Sequence, residues 1–154
     1  MDTTRLIYCS RAVPDLGNSD LLTLAERSAA NNKLRGITGF LMLGDGIFLQ
    51  VVEGTSTVLN ALLHRLLTDR RHTDLRLISF MPITTRSFAH WSMRTINWEQ
   101  NWPNEHRSFL CRQFGMPQFD PASLTAARTL SFLEVLAELV RRQDQRTLRG
   151  LRTV

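Results

Sequence analysis

The chain has 154 residues and an ordinary globular composition, with 43% hydrophobic and 21% charged residues. This length predicts one domain that has room for a single core and an appendage. The longest apolar runs are only as long as strands, so we expect no transmembrane segment, and the strand pattern that follows Met1 predicts no secretory signal. The formal net charge of +5 leaves nucleic-acid binding open as a function class.

The first third of the chain predicts a strand, a helix and a hairpin. Ser19 is the expected N-cap of the helix, which should fade at Asn31-Asn32 and stop before Gly36. Gly44-Asp45-Gly46 is typical of a tight turn between antiparallel strands. The predicted strands of this region are residues 5–10, 36–43 and 47–52.

The rest of the chain continues the alternation of strands and helices. A second helix after Gly54 presents the apolar stripe Val58, Leu62, Leu63, Leu66 and Leu67. Strands are predicted over residues 75–81 and 91–98, an irregular connector over 101–121 and a final helix over 123–145. The order is strand, helix, two strands, helix and two strands. It predicts an α+β, ferredoxin-like βαββαββ fold: a five-stranded mixed sheet with two helices on one face, plus a C-terminal helical extension.

Gln50 is unusual because it interrupts a strand that otherwise reads as buried. A buried amide without a hydrogen-bond partner costs roughly 1–3 kcal/mol, so this side chain needs a polar neighbour. Strand alternation places Gln50 on one face with Tyr8 and Met93, and Asn31-Asn32 approaches from the end of the first helix. The expected result is an apolar slot with a few placed polar groups, as in small-molecule sites.

The residue types exclude several chemistries for this slot. Cys9 and Cys111 lack metal-ligand spacing, which predicts no zinc site and reduced thiols in the cytoplasm. There is no glycine-rich phosphate loop and no serine in a nucleophile elbow. Glu53 and Asp69 are the only carboxylates near the slot, so paired-acid hydrolysis has no candidate pair. Amides and a tyrosine suit a planar heterocycle with alternating donors and acceptors.

These residues together resemble the BLUF domain, a family of blue-light sensors that use flavin. The resemblance covers about residues 4–98 and keeps the order and spacing of the family. It predicts a flavin-binding sensor domain over 1–98 and a connector with a helical cap over 99–154, as in the short PixD-type members. The matching segments are Leu6–Ser10, Asn31-Asn32, Gly36–Leu41, Gly46–Gly54, Asp69–His72 and Phe88–Met93.

The resemblance implies roles for four photoactive residues. Tyr8 is implied as the electron and proton donor to the excited flavin. Gln50 is implied to bridge Tyr8 and the N5/C4=O edge of the flavin, with an amide that rotates or tautomerises after light and shifts absorption to the red. Trp91 and Met93 hold the switch positions on the predicted fifth strand, and which of them lies near Gln50 in the dark stays open.

The same resemblance implies a set of cofactor contacts. Asn32, with Asn31 beside it, would hold the polar edge of the ring, and Leu24 and Leu66 would sandwich the ring between the helices. Arg65 would reach the ribityl phosphate, whereas Thr68 stands where some relatives carry a second arginine. The implied cofactor is FAD, with FMN or riboflavin as alternatives. The full set of predicted cofactor contacts is Tyr8, Leu24, Asn31, Asn32, Phe48, Gln50, Arg65, Leu66, Asp69, Arg71 and His72.

Two other functions compete with a photoreceptor. A ferredoxin-like nucleic-acid binder fits the basic charge, but the Lys/Arg-Gly-Phe/Tyr type of motif that RNA-binding sheets present is absent from the sequence. A small hydrolase lacks an activated nucleophile. The resemblance implies no enzyme activity and a downstream signalling partner, which in relatives is response-regulator-like. The leucine stripe of the final helix predicts a homo-oligomer.

Overall fold

The computed structural model describes residues 2–14 and 16–152, without the side chains of Asn18 and Leu21. The chain divides into two compact units at the junction between Trp102 and Pro103. Among the described residues, no helix combines the length and the apolar character needed to cross a membrane.

The first unit is a five-stranded mixed sheet with two helices. The strand order is β4-β1-β3-β2-β5, in which every neighbouring pair is antiparallel except β2 and β5, which are parallel. This arrangement confirms the predicted α+β, ferredoxin-like class. The elements are β1 (Thr3–Ala12), α1 (Asn18–Leu34), β2 (Thr38–Gly44), β3 (Ile47–Thr55), α2 (Ser56–Thr68), β4 (His72–Ile83) and β5 (Arg94–Asn97).

Local chemistry explains where these elements begin and turn. Asp45 and Gly46 both have positive φ, 48° and 72°, as the two-residue turn of the β2–β3 hairpin requires. The Thr55 hydroxyl accepts a hydrogen bond from the Val58 backbone N–H at 3.4 Å and caps α2. The predicted hairpin turn is therefore confirmed, and α2 follows β3 without a connecting loop.

Both helices pack on one face of the sheet. One group of apolar side chains joins Leu6 and Val52 of the sheet to Leu59 of α2. A second group joins Leu41 and Phe48 of the sheet to Leu24 of α1. Met93 packs against both groups. The two groups leave room between them, and that space positions the site described below.

The start of the first helix differs from the prediction for a local reason. The carboxylate of Asp20 accepts a hydrogen bond from the Gly17 N–H at 2.9 Å, so α1 begins one residue before the predicted cap at Ser19. Helix α1 continues through Asn31-Asn32 without fading and ends at Leu34, before the left-handed Gly36 with its φ of 68°, as predicted.

The apolar stripe of α2 was predicted wrongly at two positions. Leu59, which the prediction omitted, is fully buried, whereas Leu67 is 60% exposed. Leu59 lies one position after Val58 and four before Leu63, so the buried face is rotated from the predicted one.

The last two strands also differ. Strand β4 is longer than the predicted 75–81, and β5 is half the predicted 91–98. Trp91 and Met93 therefore lie before β5 rather than within it. The backbone carbonyl of Ser92 accepts a hydrogen bond from the side chain of Asn32 at 2.9 Å, which takes this carbonyl out of the sheet ladder.

The second unit is helical: its first helix contradicts the irregular connector predicted over 101–121, whereas its last confirms the predicted final helix. It contains α3 (Asn104–Phe114), a 3-10 turn (Pro121–Ser123) and α4 (Ala126–Arg152). Phe114 packs edge-to-face on Phe132, with 5.4 Å between ring centroids. Helix α4 starts later than predicted because the Thr125 hydroxyl, rather than Ser123, accepts from the Arg128 N–H at 3.2 Å.

Candidate functional site

A cavity of ≈ 330 Å³ lies in the first unit, between the helix-covered face of the sheet and the two helices. Its volume falls in the range of roughly 300–1,000 Å³ typical of small-molecule sites. Apolar side chains and amides line it together with four charged side chains. The lining residues are Tyr8, Leu24, Ser28, Asn31, Asn32, Arg35, Leu41, Phe48, Gln50, Leu62, Arg65, Leu66, Asp69, Arg71 and His72.

The structure brings together every residue predicted to contact a cofactor, because each of them lines this cavity. Ser28, Arg35, Leu41 and Leu62 also line it and were missed by sequence reasoning. Three of the four had a sequence signal: Ser28 and Leu62 lie four positions from Leu24 and Leu66 on their helices, and Leu41 lies opposite Gln50 in the β2–β3 register. Arg35 had none, because α1 was expected to fade at Asn31-Asn32.

Tyr8, Gln50 and Met93 form a hydrogen-bonded chain on the sheet side of the cavity. Tyr8 and Gln50 are directly opposite each other in the antiparallel pair of β1 and β3. The phenol of Tyr8 donates to Gln50 Oε1 at 2.5 Å, and Gln50 Nε2 donates to Met93 Sδ at 3.6 Å. A thioether is a weak acceptor, so the amide nitrogen keeps most of its donor capacity for a better partner.

The environment of Tyr8 keeps its phenol protonated. Burial is the main cause that raises the pKa of Tyr8 above its ordinary value; the negative charge of Asp69 raises this pKa further, and the positive charge of Arg71 lowers it. Since the ordinary value is about 10, the hydroxyl is a permanent donor at neutral pH. The short bond to Gln50 Oε1 therefore has a defined direction, from tyrosine to amide.

Asp69 and Arg71 pair with each other at the rim of the cavity. Arg71 Nη2 lies 2.5 Å from Asp69 Oδ2, and Arg71 Nε lies 2.9 Å from Asp69 Oδ1. Hydrogen bonding to Arg71 is the main cause that lowers the pKa of the Asp69 carboxyl, and the same bond raises the pKa of Arg71. The two side chains neutralise each other, so together they add no net charge to the cavity lining.

His72 fills the end of the cavity next to β1. Its Nε2 lies 2.8 Å from the Leu66 carbonyl and its Nδ1 lies 2.7 Å from the Ser10 hydroxyl. A carbonyl only accepts, so Nε2 carries a proton, and in the neutral ring Nδ1 accepts from Ser10. This pair of bonds ties the C-terminal end of α2 to β1.

Met93, and not Trp91, lies beside Gln50. The prediction placed Trp91, Met93 and Thr95 on one strand face, which is wrong for Trp91. The indole packs edge-to-face on Phe40 at 5.7 Å between ring centroids, and the Trp91 carbonyl accepts from the Gly39 N–H at 2.9 Å. Phe40 alternates with Leu41 on β2, and Leu41 faces the cavity, so Trp91 packs on the opposite face of the sheet.

The family model for BLUF domains, described as sensors of blue light using FAD, matches residues 3–94. This match covers more than half of the chain and contains every residue of the Tyr8–Gln50–Met93 chain. The chain belongs to the BLUF family. It is therefore a flavin-binding sensor domain of the blue-light class, and nothing in these similarities supports the nucleic-acid alternative.

Relatives of this BLUF chain include enzymes with additional parts. The photoactivated adenylate cyclase subunit alpha of Euglena gracilis is 33% identical over 92 residues, which are 58% of this chain and 9% of that protein. The subunit beta of Euglena longa is 31% identical over 91 residues, or 11% of its length. The chain thus spans roughly a tenth of the length of the curated relatives that it matches.

Solved structures give a similar picture. BlsA in its photo-activated state has a TM-score of 0.78 and 26% identity, over 88% of this chain and 94% of that one. BlrP1 of Klebsiella pneumoniae, solved with FMN and cyclic diGMP, has a TM-score of 0.60 and 34% identity, over 64% of this chain and 26% of that one.

The residues of this BLUF cavity fit a flavin ring. Leu24 of α1 and Leu66 of α2 supply apolar surface on the two helices, and the amides of Asn31, Asn32 and Gln50 supply donors and acceptors. The amide nitrogen of Gln50 is the group that fits a flavin most specifically. It donates only to the Met93 sulfur, and a ring carbonyl would give it a stronger acceptor.

A buried ion pair fixes the segment that carries Met93. The fully buried carboxylate of Glu53 accepts from Arg5 Nε at 2.9 Å, from the Ser87 N–H at 3.1 Å and from the Phe88 N–H at 2.8 Å. Arg5 Nη2 also donates to the Ser87 hydroxyl at 3.0 Å. Glu53 therefore holds the loop between β4 and β5 and does not line the cavity, although the sequence analysis placed it near the predicted slot.

Proposed function

We propose that this chain is a blue-light photoreceptor whose switch is the Tyr8–Gln50–Met93 chain. The observation that carries the proposal is the pair of bonds made by one amide: Gln50 Oε1 accepts from Tyr8 at 2.5 Å, and Gln50 Nε2 faces Met93 Sδ at 3.6 Å. Both bonds lie against a cavity of ligand size.

Tyr8 supplies the proton and the electron in this proposal. When bound, a flavin absorbs blue light and becomes an electron acceptor. The phenol of Tyr8 holds its proton against Gln50 Oε1, so movement of this proton begins along an existing hydrogen bond. Burial, which raises the pKa of the phenol, ensures that the proton is present before light.

Gln50 provides the two states. In the orientation described, the amide oxygen faces a donor and the amide nitrogen faces a weak acceptor. Rotation by half a turn would direct the nitrogen toward the Tyr8 oxygen, which would then accept, and the oxygen toward the Met93 sulfur, which has no proton to donate. The protein alone thus favours the first orientation, and the second requires a compensating change. A buried network with two hydrogen-bond patterns is a bistable element.

Met93 is the proposed first receiver of the change, because it touches Gln50 whereas Trp91 packs on Phe40. Loss of the Gln50–Met93 bond would release a side chain that packs in both apolar groups of the core. We therefore propose Met93 for the switch position that the sequence left open.

The proposed cofactor is FAD, with FMN or riboflavin as alternatives. Asn32 and Asn31 would hold the polar edge of the ring, Leu24 and Leu66 its faces, and Arg65 the phosphate end. Phe48, Asp69, Arg71 and His72 would complete the contact set. All of these residues line the cavity.

We further propose that the chain signals to a partner protein, of the response-regulator-like class, and is not itself an enzyme. Over residues 103–152, the second unit contains two helices and a 3-10 turn. Two exposed leucines near the end of α4, Leu148 and Leu151, support a homo-oligomer. Cys9 and Cys111 are not joined in a disulfide, which supports a cytoplasmic location.

The test is an absorbance spectrum of the purified full chain in the dark and after blue light. We expect a bound flavin and a small, reversible red shift. Gln50→Leu should keep the flavin and lose the shift, because leucine keeps the volume of the side chain but offers no hydrogen bond. The matched control is Gln113→Leu at an exposed position of α3, which should shift normally. A colourless protein, or a normal shift in Gln50→Leu, would contradict the proposal.

A further inference from the structure

Two arginines line the cavity from the C-terminal ends of the two helices. Arg35 is the residue at which α1 ends, and Arg65 lies in the last turn of α2. Among the described residues, neither guanidinium forms a salt bridge with a carboxylate. Both side chains are exposed to the mouth of the cavity, so a ligand can reach them.

The charges of the lining do not balance. Among the described residues that line the cavity, Asp69 is the only carboxylate, and it is paired with Arg71. Arg35 and Arg65 therefore leave two uncompensated positive charges at one opening. They also act on each other, because burial and then the positive charge of Arg35 lower the pKa of Arg65. Two like charges held together at one opening favour a doubly negative ligand group.

We propose that Arg35 joins Arg65 in a phosphate-binding site that makes this chain select phosphorylated flavins over riboflavin. The proposal rests on the proposed flavin-binding function and adds its specificity. A phosphate monoester carries about −1.5 to −2 charges at neutral pH, which matches the two free guanidiniums. Arginine also binds phosphate through two parallel N–H donors, which fixes the orientation of the ligand.

The position of Arg35 is set by the same turn that sets Asn32. The Arg35 N–H donates to the Asn32 carbonyl at 3.0 Å, and the Ile37 N–H donates to the same carbonyl at 2.9 Å. The left-handed Gly36 follows and closes the helix. A ring-edge amide and a phosphate-binding cation are therefore held three residues apart, on the same face of one helical turn. Arg35 thereby compensates for Thr68, which stands where some relatives carry an arginine.

A purely structural role for Arg35 is the competing explanation. Cations at a helix C-terminus interact favourably with the helix dipole, so Arg35 could serve α1 alone. In that case, removal of the Arg35 side chain would lower the affinity for every flavin equally, or would lower none of these affinities. Phosphate binding instead predicts a change in the ratio of two affinities, which a general loss of stability does not produce.

The test compares riboflavin, FMN and FAD as ligands of the full chain after its flavin has been washed out, with binding followed by flavin fluorescence. We expect Arg35→Gln to lower the affinity for FMN and FAD about tenfold, which corresponds to the loss of roughly one charge-assisted hydrogen bond. The affinity for riboflavin should change by less than about twofold. Arg35→Lys should recover part of the difference, because it keeps the charge but not the planar fork. The affinity of the wild type for FMN should also fall with added salt, whereas that for riboflavin should not.

The matched control is Lys33→Gln, which removes an exposed cation from the same turn of α1 without touching the cavity. It should leave all three affinities unchanged. An unchanged ratio of FMN to riboflavin affinity in Arg35→Gln, with normal flavin binding and a normal light response, overturns the role of Arg35 and leaves the photoreceptor proposal standing. A wild-type chain that binds none of the three flavins overturns both.

Discussion

Removal of the charge of Glu53 is the sharpest test of how the loop before β5 is held. The carboxylate is fully buried and accepts three hydrogen bonds, from Arg5, Ser87 and Phe88. Glutamine keeps one oxygen but directs its NH₂ group at donors, so Glu53→Gln loses about two bonds and leaves Arg5 without its partner. Bonds to charged groups contribute about 1.5–3 kcal/mol each, and breaking a buried ion pair from one side costs about 3–5 kcal/mol. We therefore expect a loss of about 3–5 kcal/mol in the free energy of unfolding.

Urea unfolding followed by tryptophan fluorescence measures this loss, since all three tryptophans lie in residues 91–102 of the first unit. With a urea dependence of about 2 kcal/mol per molar, the midpoint should fall by roughly 2 M. The matched control is Asp74→Asn in the same unit, where the pair with Arg11 is exposed and 3.9 Å long, and where less than about 1 kcal/mol is expected. Ser87→Ala, which removes only one bond of Arg5, should cost about 1 kcal/mol and stays measurable if Glu53→Gln does not fold. Equal midpoints for Glu53→Gln and Asp74→Asn would refute the reasoning.

Two further predictions concern the switch itself. Tyr8 is the only tyrosine, so ultraviolet tyrosinate absorbance reports it alone: the folded protein should show no tyrosinate at pH 10, near the ordinary pKa, and should release it on unfolding in urea. Because the folded pKa is the higher one, the stability contributed by the neutral phenol is complete below pH 10 and is lost as the pH rises further; tyrosinate in the folded protein near pH 10 would contradict the burial argument. Met93→Leu keeps the volume but removes the acceptor of Gln50 Nε2, so dark recovery after blue light should become slower, as followed by flavin absorbance, with Trp91→Phe as the control that should recover normally. Unchanged recovery in Met93→Leu would remove that residue from the switch.

The cavity was predictable because it depends on two regular strands. Tyr8 and Gln50 face each other through plain alternation in β1 and β3, and an amide inside an apolar strand is visible in the sequence pattern alone. Alternation failed for Trp91, although Met93 lies beside Gln50 as predicted, because the backbone between them is held by a distant side chain, Asn32, instead of a strand neighbour. Side chains alternate between the two faces of a sheet only where the backbone is paired with a neighbouring strand.

Other errors have equally local causes. Helix α3 was missed because only Leu110 and Phe114 are buried in it, too few to produce an apolar stripe in a polar segment. Arg35 was missed because the two asparagines suggested that α1 fades before it, whereas Asn32 is buried and bonded to Ser92. Asparagine often ends a helix through hydrogen bonds to the nearby backbone. Here the Asn32 side chain bonds to a residue that is distant in sequence, and the sequence does not reveal that contact.

The hydrogen bond from Asn32 to the Ser92 carbonyl has a consequence for what the protein can report. Ser92 precedes Met93, so two amides on the cavity wall, Asn32 and Gln50, are each bonded to one of two consecutive residues. A ligand that competes for the Asn32 amide would act on the same dipeptide as a rotation of Gln50. Cofactor loading and illumination would then converge on one output, so that a sensor without its pigment would not be equivalent to a sensor in the dark.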